Sequence, residues 1–147
     1  NGYLIAGYAY EDSLTDYFII KTDSSGNKLW QKRSGSISQS EYFYCASSTQ
    51  DSCFILGGYE DNNLTITKNL KGKVIKFDRY GNIIWDKQFG GIYGGIITNI
   101  YETKQGDYIA CGIAYDSLSY WQYDQYGKNY IVKMEKNGNI KICKDGN

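Results

Sequence analysis

The sequence predicts an all-β fold, and three observations support this prediction. Tyrosine occurs 16 times in 147 residues, and aromatic and β-branched side chains favour β-strands. There are 17 Gly and no Pro, so the turns must be formed by Gly together with Asn, Asp and Ser. Finally, one pattern of residues recurs three times along the chain at intervals of about 50 residues, which indicates a repeat architecture.

The first repeated element is an apolar run of six residues with glycine in the fifth position. Its copies begin at Tyr3, Phe54 and Tyr108 and read YLIAGY, FILGGY and YIACGI. Short apolar runs bounded by polar turn residues are typical of β-strands. Each copy is therefore predicted to be one strand.

The second repeated element is a pair of strands joined by a turn. Its copies span residues 19–30, 74–85 and 131–142 and read IIKTDSSGNKLW, VIKFDRYGNIIW and IVKMEKNGNIKI. A Gly-Asn pair in each copy is predicted to supply the positive φ angles that hairpin turns require. These pairs are Gly26 and Asn27, Gly81 and Asn82, and Gly138 and Asn139.

A fourth strand is predicted between the units, at residues 41–49 and at about residues 95–104. Four antiparallel strands in about 50 residues are the signature of a β-propeller blade. The fold class predicted is an all-β β-propeller of about three four-stranded blades, as an incomplete ring or part of a larger propeller. The chain is one segment, residues 1–147, with approximate blades 1–37, 38–91 and 92–147. A β-sandwich is the alternative, but it does not require whole-unit repetition.

The pattern Asp-x-x-Gly-Asn-x-x-Trp, preceded by Ile-x-Lys and followed by Lys32 or Lys87, carries a resemblance. It resembles the tryptophan-docking repeats of quinoprotein-like propellers and the kelch-length propeller repeats of secreted bacterial and archaeal proteins. The resemblance implies that Trp30 and Trp85 pack between neighbouring blades, with the indole N–H on a backbone carbonyl. Ile142 occupies the same position in the third copy.

These elements sum to eleven strands, one short of three complete blades. Closed propellers have 4 to 8 blades, and an open array exposes sheet edges. We therefore expect either a longer chain or an oligomer whose copies complete one another's blades.

Catalysis is not predicted. The chain contains no His, which excludes Ser-His-Asp and Cys-His arrangements and His-based metal sites. The adjacent acids Glu11 and Asp12, and Glu60 and Asp61, are predicted to lie in solvated loops. We expect no cofactor and no metal. Two alternatives stay open: a calcium ion in the Asp/Asn-rich loops, and an incomplete part of a quinoprotein-like or glycan-processing propeller enzyme.

The charge pattern restricts the partners. There are 16 basic and 16 acidic residues, so the chain has no electrostatic footprint for nucleic acid. No apolar run approaches the roughly 20 residues of a membrane span. Lys21, Lys76 and Lys133 recur at one register and are predicted to form ion pairs or to extend along the surface, rather than form an anion-binding ring. The partner predicted is a protein, a glycan or another copy of the chain.

Four cysteines raise the question of disulfides. Cys45 and Cys53 flank a predicted turn, where a cross-strand disulfide is geometrically plausible; two free thiols are the alternative. Cys111 is predicted at a small buried position, and its strand is separated from that of Cys143 by another strand. The even number of cysteines, the repeat type and a glycosylation motif at Asn63 favour an extracellular or cell-surface protein.

The connection after the glycine-ended strand is longest in the third copy, and insertions in repeat proteins often map to the binding face. This connection is rich in aromatic residues of the type found in binding hot spots. They are Tyr115, Tyr120, Trp121, Tyr123 and Tyr126. The function predicted is a non-catalytic extracellular scaffold that mediates binding or self-assembly.

Overall fold

The computed structural model describes residues 2–11, 14–34, 39–61, 70–89, 94–114 and 128–145. These residues form eleven β-strands: β1 (Leu4–Glu11), β2 (Leu14–Thr22), β3 (Lys28–Ser34), β4 (Ser40–Ser48), β5 (Phe54–Asp61), β6 (Leu70–Phe77), β7 (Ile83–Phe89), β8 (Gly95–Glu102), β9 (Tyr108–Ala114), β10 (Lys128–Met134) and β11 (Ile140–Asp145). Within these ranges, no helix has the length and apolar character that crossing a bilayer requires.

The strands form three antiparallel sheets in which strands adjacent in sequence are paired. Sheet 1 has the order β1-β2-β3, sheet 2 the order β4-β5-β6-β7, and sheet 3 the order β8-β9-β10-β11. The predicted all-β fold of three antiparallel sheets is thus confirmed. None of the sheets closes on itself in the part of the chain described. By its repeat position β1 corresponds to β5 and β9, which are the second strands of sheets 2 and 3.

The turn between β2 and β3 is organised by one carboxylate. Asp23 Oδ1 accepts the backbone N–H groups of Ser25 and Asn27, each at 2.9 Å. The Asn27 side-chain amide donates to Asp23 Oδ2 at 2.9 Å, and this bond, with the backbone bonds, lowers the pKa of Asp23. Gly26 has a φ of 88°, a conformation that favours glycine.

The turn between β6 and β7 repeats this arrangement, with Asp78 bonded to both the backbone and the side chain of Asn82. Only the glycine of each predicted Gly-Asn pair has a positive φ, and Asn27, Asn82 and Asn139 do not. In the first two turns the asparagine instead ties the turn to the preceding aspartate. The positive φ predicted for each Gly-Asn pair is thus supplied by its glycine.

Two apolar cores lie between the sheets. One joins sheets 1 and 2 and contains Tyr17, Ile19, Phe43, Leu56, Ile75 and Phe77. The other joins sheets 2 and 3 and contains Ile55, Val74, Phe89, Ile97, Ile100, Tyr108, Ala110, Tyr130, Val132 and Met134. Sheet 2 contributes adjacent residues, such as Ile55 and Leu56, to opposite cores because successive side chains on a strand point to opposite faces.

Each core is accompanied by a tryptophan from the last strand of the preceding sheet. The indole Nε1–H of Trp30 donates to the Arg79 carbonyl of sheet 2 at 3.0 Å. The indole of Trp85 donates to the Lys136 carbonyl of sheet 3 at 3.2 Å. The Trp30 ring meets Phe54 edge to face at 6.4 Å, and the Trp85 ring meets Tyr108 at 5.7 Å.

The turn glycines allow this docking. A Cβ at Gly81 would lie 3.1 Å from the Trp30 ring, and a Cβ at Gly138 would lie 3.0 Å from the Trp85 ring. The same added Cβ atoms would lie 3.0 Å from the aliphatic stems of Lys32 and Lys87, respectively. Glycine is therefore needed at these turns both for positive φ and for the close approach of the neighbouring sheet.

We predict that Trp85→Ala loosens sheet 3 from sheet 2. Because Trp85 is half-buried, the loss in the free energy of unfolding should be about 2 kcal/mol, below the roughly 3–5 kcal/mol of a fully buried tryptophan. Urea denaturation measures this loss. Hydrogen exchange should show a larger loss of protection in β10 than in β2.

The matched control is Ile84→Ala on the same strand, where the side chain is 50% exposed. Its effect should stay within about 0.5 kcal/mol. Equal losses for the two variants, or equal losses of protection in β2 and β10, would contradict the docking role.

Candidate binding surface

Four tyrosines from sheets 1 and 2 form a contiguous aromatic cluster, here called the tyrosine face: Tyr8, Tyr42, Tyr44 and Tyr59. The rings of Tyr42 and Tyr59 stack with centroids 4.7 Å apart and an interplanar angle of 13°. Tyr8 meets Tyr42 edge to face at 5.1 Å, and Tyr44 stacks on Tyr59 at 5.9 Å. Tyr8 also meets Tyr44 at 6.5 Å, which closes the set.

The tyrosine face is open to solvent at its margin and anchored at its centre. Tyr8 is 53% exposed and Tyr44 is 51% exposed, whereas Tyr42 and Tyr59 are half-buried. The Thr15 hydroxyl donates to the Tyr42 hydroxyl at 3.3 Å. Aromatic rings with polar tips offer both apolar contact and hydrogen bonding, so this surface can bind a partner without any covalent chemistry.

The sequence contains a signal for this cluster that the motif analysis did not use. Tyr8 and Tyr59 hold equivalent positions at the ends of the first two glycine-ended runs. Tyr42 is directly opposite Tyr59 in the pairing of β4 with β5. Aligning the repeats brings two of the four tyrosines into register, but the pairing that adds Tyr42 and Tyr44 is visible only in the folded sheet.

Sheet 2 also contains a buried cluster of charges around Lys73. The Lys73 ammonium donates to Glu60 at 2.7 Å and also to Glu41, and lies 3.3 Å from Asp86. Gln88 donates to the second oxygen of Glu60 at 3.0 Å. Lys73 is only 6% exposed, so its charge is compensated almost entirely within the protein.

The burial of this cluster sets its protonation. Burial opposes the charged form of Lys73, but the hydrogen bonds that it donates to Glu41 and Glu60 outweigh burial and raise the pKa of the ammonium. Burial raises the pKa of Glu41 despite the contact with Lys73. Both shifts fit an arrangement in which three carboxylates share one ammonium.

The cluster corrects the prediction that Glu60 and Asp61 are solvated in a loop. Both belong to β5 and both are buried. The reason is the pairing of β5 with its neighbours, which places Glu41 opposite Glu60 and Lys73 two positions from it in register. A buried carboxylate needs a countercharge, and the neighbouring strand supplies it.

A groove of about 730 Å³ lies at the turn end of sheets 2 and 3. Its walls include Trp85 and the charged residues Asp51, Lys76, Asp107 and Lys141. The charges pair within the groove: Lys76 with Asp51 at 2.6 Å, and Lys141 with Asp107 at 3.4 Å. Burial raises the pKa of Asp51, but hydrogen bonds from Lys76 and Thr49 outweigh this and lower it overall.

The lysines that recur at one register make ion pairs or hydrogen bonds within the protein. Lys76 pairs with Asp51, and Lys133 lies 3.5 Å from Asp107. Lys21 donates to the Thr22 carbonyl at 2.6 Å. The predicted ion pairing therefore accounts for two members of the register.

The predicted disulfide between Cys45 and Cys53 is wrong, because both residues are free thiols. Cys45 is opposite Gly57, whereas Cys53 lies beyond the pair formed by Ser48 and Phe54. The two cysteines flank one turn but stand at different levels of the hairpin. Burial raises the pKa of Cys45 to about 11, which keeps this thiol protonated at neutral pH.

Cys111 also differs from the prediction of a small buried position, since it is exposed and free. The aromatic connection with Tyr115, Tyr120, Trp121, Tyr123 and Tyr126 lies outside the described residues, as does Asn63. The strand position of Ile142 is described in β11, but its side chain is not. Among the side chains that are described, no group of three or more Asp, Glu, Cys or His is placed to hold a metal ion.

We predict that Lys73→Met destabilises the chain at pH 7 by about 3–5 kcal/mol, because it leaves Glu41 and Glu60 buried without a countercharge. The variant's carboxyl pKa values should rise in the folded state, so its folded state binds more protons than its unfolded state. Its deficit in stability should therefore shrink as the pH falls from 7 to about 4.5.

Urea denaturation at the two pH values measures this change. Lys28→Met is the control, because Lys28 is exposed and donates only to the side chain of Gln31 in the described contacts. A deficit independent of pH, or no larger than that of the control, would rule out charge compensation as the role of Lys73.

No protein-family model matches this sequence, and no curated protein matches it. Support for a function therefore comes from the residues of this chain and from the resemblance of its repeats. The features that bear on it are the tyrosine face, the closed charge cluster around Lys73 and the repeated tryptophan docking.

Proposed function

We propose that the chain is a segment of a β-propeller that acts as a non-catalytic extracellular scaffold, and that it binds a protein or glycan partner or other copies of itself. The observation that carries this proposal is the tyrosine face, in which two sheets hold four aromatic rings in mutual contact. Tyrosine supplies a large contact area at low cost in conformational entropy.

The propeller interpretation is supported by the repetition of the sheet-to-sheet contact. Trp30 meets the turn of sheet 2 as Trp85 meets the turn of sheet 3, through the same indole hydrogen bond and the same glycine. At the equivalent turn of sheet 1, a Cβ at Gly26 would meet no described atom within 4 Å. A further sheet of the same kind could therefore dock its tryptophan there.

Binding rather than catalysis is supported by the way the charged groups are used. The ammonium of Lys73 is surrounded by Glu41, Glu60 and Asp86, and Lys76 is paired with Asp51. Groups neutralised in this way stabilise the fold. The tyrosine face, by contrast, keeps aromatic surface exposed, and tyrosine is enriched in binding hot spots.

The extracellular location is proposed from the sequence. The acceptor motif at Asn63 and the resemblance to secreted propeller repeats favour it. The free thiols of Cys45 and Cys53 do not contribute to this assignment.

We predict that the double variant Tyr8→Ser, Tyr44→Ser loses binding while keeping the fold. Sedimentation velocity over a range of protein concentrations measures self-association, and a glycan array measures binding to sugars. The wild-type chain should be positive in at least one assay, and the double variant should lose that signal. Cooperative urea unfolding should be retained, since both side chains are about half exposed.

Tyr101→Ser is the matched control, because Tyr101 is also 53% exposed but makes no described contact with the tyrosine face. It should bind as the wild type does. A wild-type chain that is monomeric and binds no glycan, or a double variant that binds normally, would refute the assignment of the tyrosine face.

A second prediction concerns the aromatic connection of the third repeat. Replacing Tyr120, Trp121 and Tyr123 together by Ala should abolish association in the same assays and leave cooperative unfolding intact, because the two described apolar cores are unchanged. Unchanged association in this triple variant would remove the connection from the binding surface.

A further inference from the structure

The first strand of sheet 2 and the first strand of sheet 3 each carry a β-bulge where they pair with the second strand. In sheet 2, β4 has a bulge between Phe43 and Cys45, which are opposite Gly58 and Gly57 of β5. In sheet 3, β8 has a bulge between Ile97 and Asn99, opposite Gly112 and Cys111 of β9. A bulge bends the strand that carries it, and in both sheets the bulged backbone lies close to the strand beside it.

Glycine at the position opposite each bulge is required by this close approach. A Cβ at Gly58 would lie 1.8 Å from the Tyr42 carbonyl oxygen, and a Cβ at Gly112 would lie 1.8 Å from the Ile96 carbonyl oxygen. Neither glycine has a positive φ. The backbone of the adjacent strand, and not the local conformation, therefore excludes a side chain at these two positions.

Sheet 1 has the same glycine without the strand that would require it. Gly7 of β1 is the repeat equivalent of Gly58 and Gly112, and it pairs with Phe18 on β2. A Cβ at Gly7 would meet nothing within 4 Å. In the described part of the chain β1 pairs only with β2, so its other edge is free. Glycine inside a strand often marks a site where another backbone approaches.

We propose that the free edge of β1 is an acceptor site for an antiparallel β-strand of the β8 type, bulged opposite Gly7. Its main-chain groups would pair with β1, which is the β-augmentation mode of peptide recognition. This proposal goes beyond the tyrosine face and does not depend on it, since it rests on the backbone of sheet 1.

Ala6, the residue next to Gly7, favours a donor strand with the sequence pattern of β8 over one with the pattern of β4. In sheet 2, a Cβ at Gly57 would lie 2.8 Å from the Cys45 sulfur. Ala6 stands at that position in β1 and Cys111 in β9, and both carry a Cβ. Opposite Cys111 is Asn99 of β8, so a strand with the β8 pattern fits the edge of β1 without displacing Ala6.

The contacts made by β1 also match those made by β5, whose edge already carries a paired strand. β4 contacts β1 across the gap between sheets 1 and 2, as β8 contacts β5 between sheets 2 and 3. β4 and β8 contact each other as well. A strand added to β1 would complete the corresponding contact with β4.

The test uses a peptide with the sequence of β8, Gly95–Glu102, added to the isotope-labelled 147-residue chain. NMR titration should give saturable shifts concentrated in the amides of β1. Gly7→Ala should weaken binding at least tenfold, because its Cβ enters the space of the incoming carbonyl, while the thermal midpoint of the free chain stays unchanged. A peptide with Ile97→Pro should not bind, because proline lacks the N–H and cannot follow the ladder.

The matched variants Gly58→Ala and Gly112→Ala should each lower the thermal midpoint markedly, since their edges are already filled. A second measurement detects the interaction even if the separate peptide binds weakly. Residues 95–105, joined ahead of Asn1, would place a β8 copy and a turn next to β1 at high effective concentration. This fusion should raise the thermal midpoint, and Gly7→Ala should remove the increase.

The proposal is overturned if neither the peptide nor the fusion acts through Gly7. It is also overturned if the shifts map to another strand. Sedimentation that shows dimers dissolved by Gly7→Ala, with no binding of the β8 peptide, would assign the edge to a second copy of the chain instead. A wild-type chain that is monomeric and binds no glycan, yet binds the β8 peptide through Gly7, would refute the proposed function and leave the acceptor site standing.

Discussion

The structure depends on the stacking of one sheet's apolar face on the next. Sheet 2 shows this constraint most clearly, because Ile55 and Leu56 are adjacent in β5 and are both fully buried, one in each core. A sheet with two apolar faces must be covered on both sides. The tryptophan of the preceding sheet then fixes the stacking at one end, since its indole reaches a single carbonyl in the next turn.

Within this stacking, polar groups are tolerated where neighbouring strands neutralise them. Lys73 lies among Glu41, Glu60 and Asp86, and the cluster draws on all four strands of sheet 2. Such a cluster contributes less to stability than its short contacts suggest, because desolvation offsets the attraction. Removing one member is costly because it leaves the others buried. The same sheets leave Tyr8 and Tyr44 exposed at the margin of an aromatic cluster, and this exposure is the basis on which we propose that margin as a contact surface.

Pattern and spacing identify a strand or a turn because both depend on residues close in sequence. The Asp-x-x-Gly-Asn motif specifies a turn through bonds that span four residues, such as those of Asp23 with Asn27. Pattern and spacing do not identify the Lys73 cluster, because its members come from different strands and only strand pairing sets the register between them. For the same reason Cys45 and Cys53 looked suitable for a disulfide, yet the hairpin holds them at different levels.

The sequence by itself determined the all-β class, the strands within each repeat, the turn glycines and the positions of Trp30 and Trp85, because repetition of a local pattern carries this information. Only the tertiary structure decided which groups meet: the ring contacts of Tyr42 with Tyr8 and Tyr59, and the burial of Glu60. It also distinguished Gly7 from Gly58 and Gly112, which the sequence treats as equivalent. The physical reason is that the three glycines differ in whether another strand is paired beside them, and that pairing depends on residues distant in sequence.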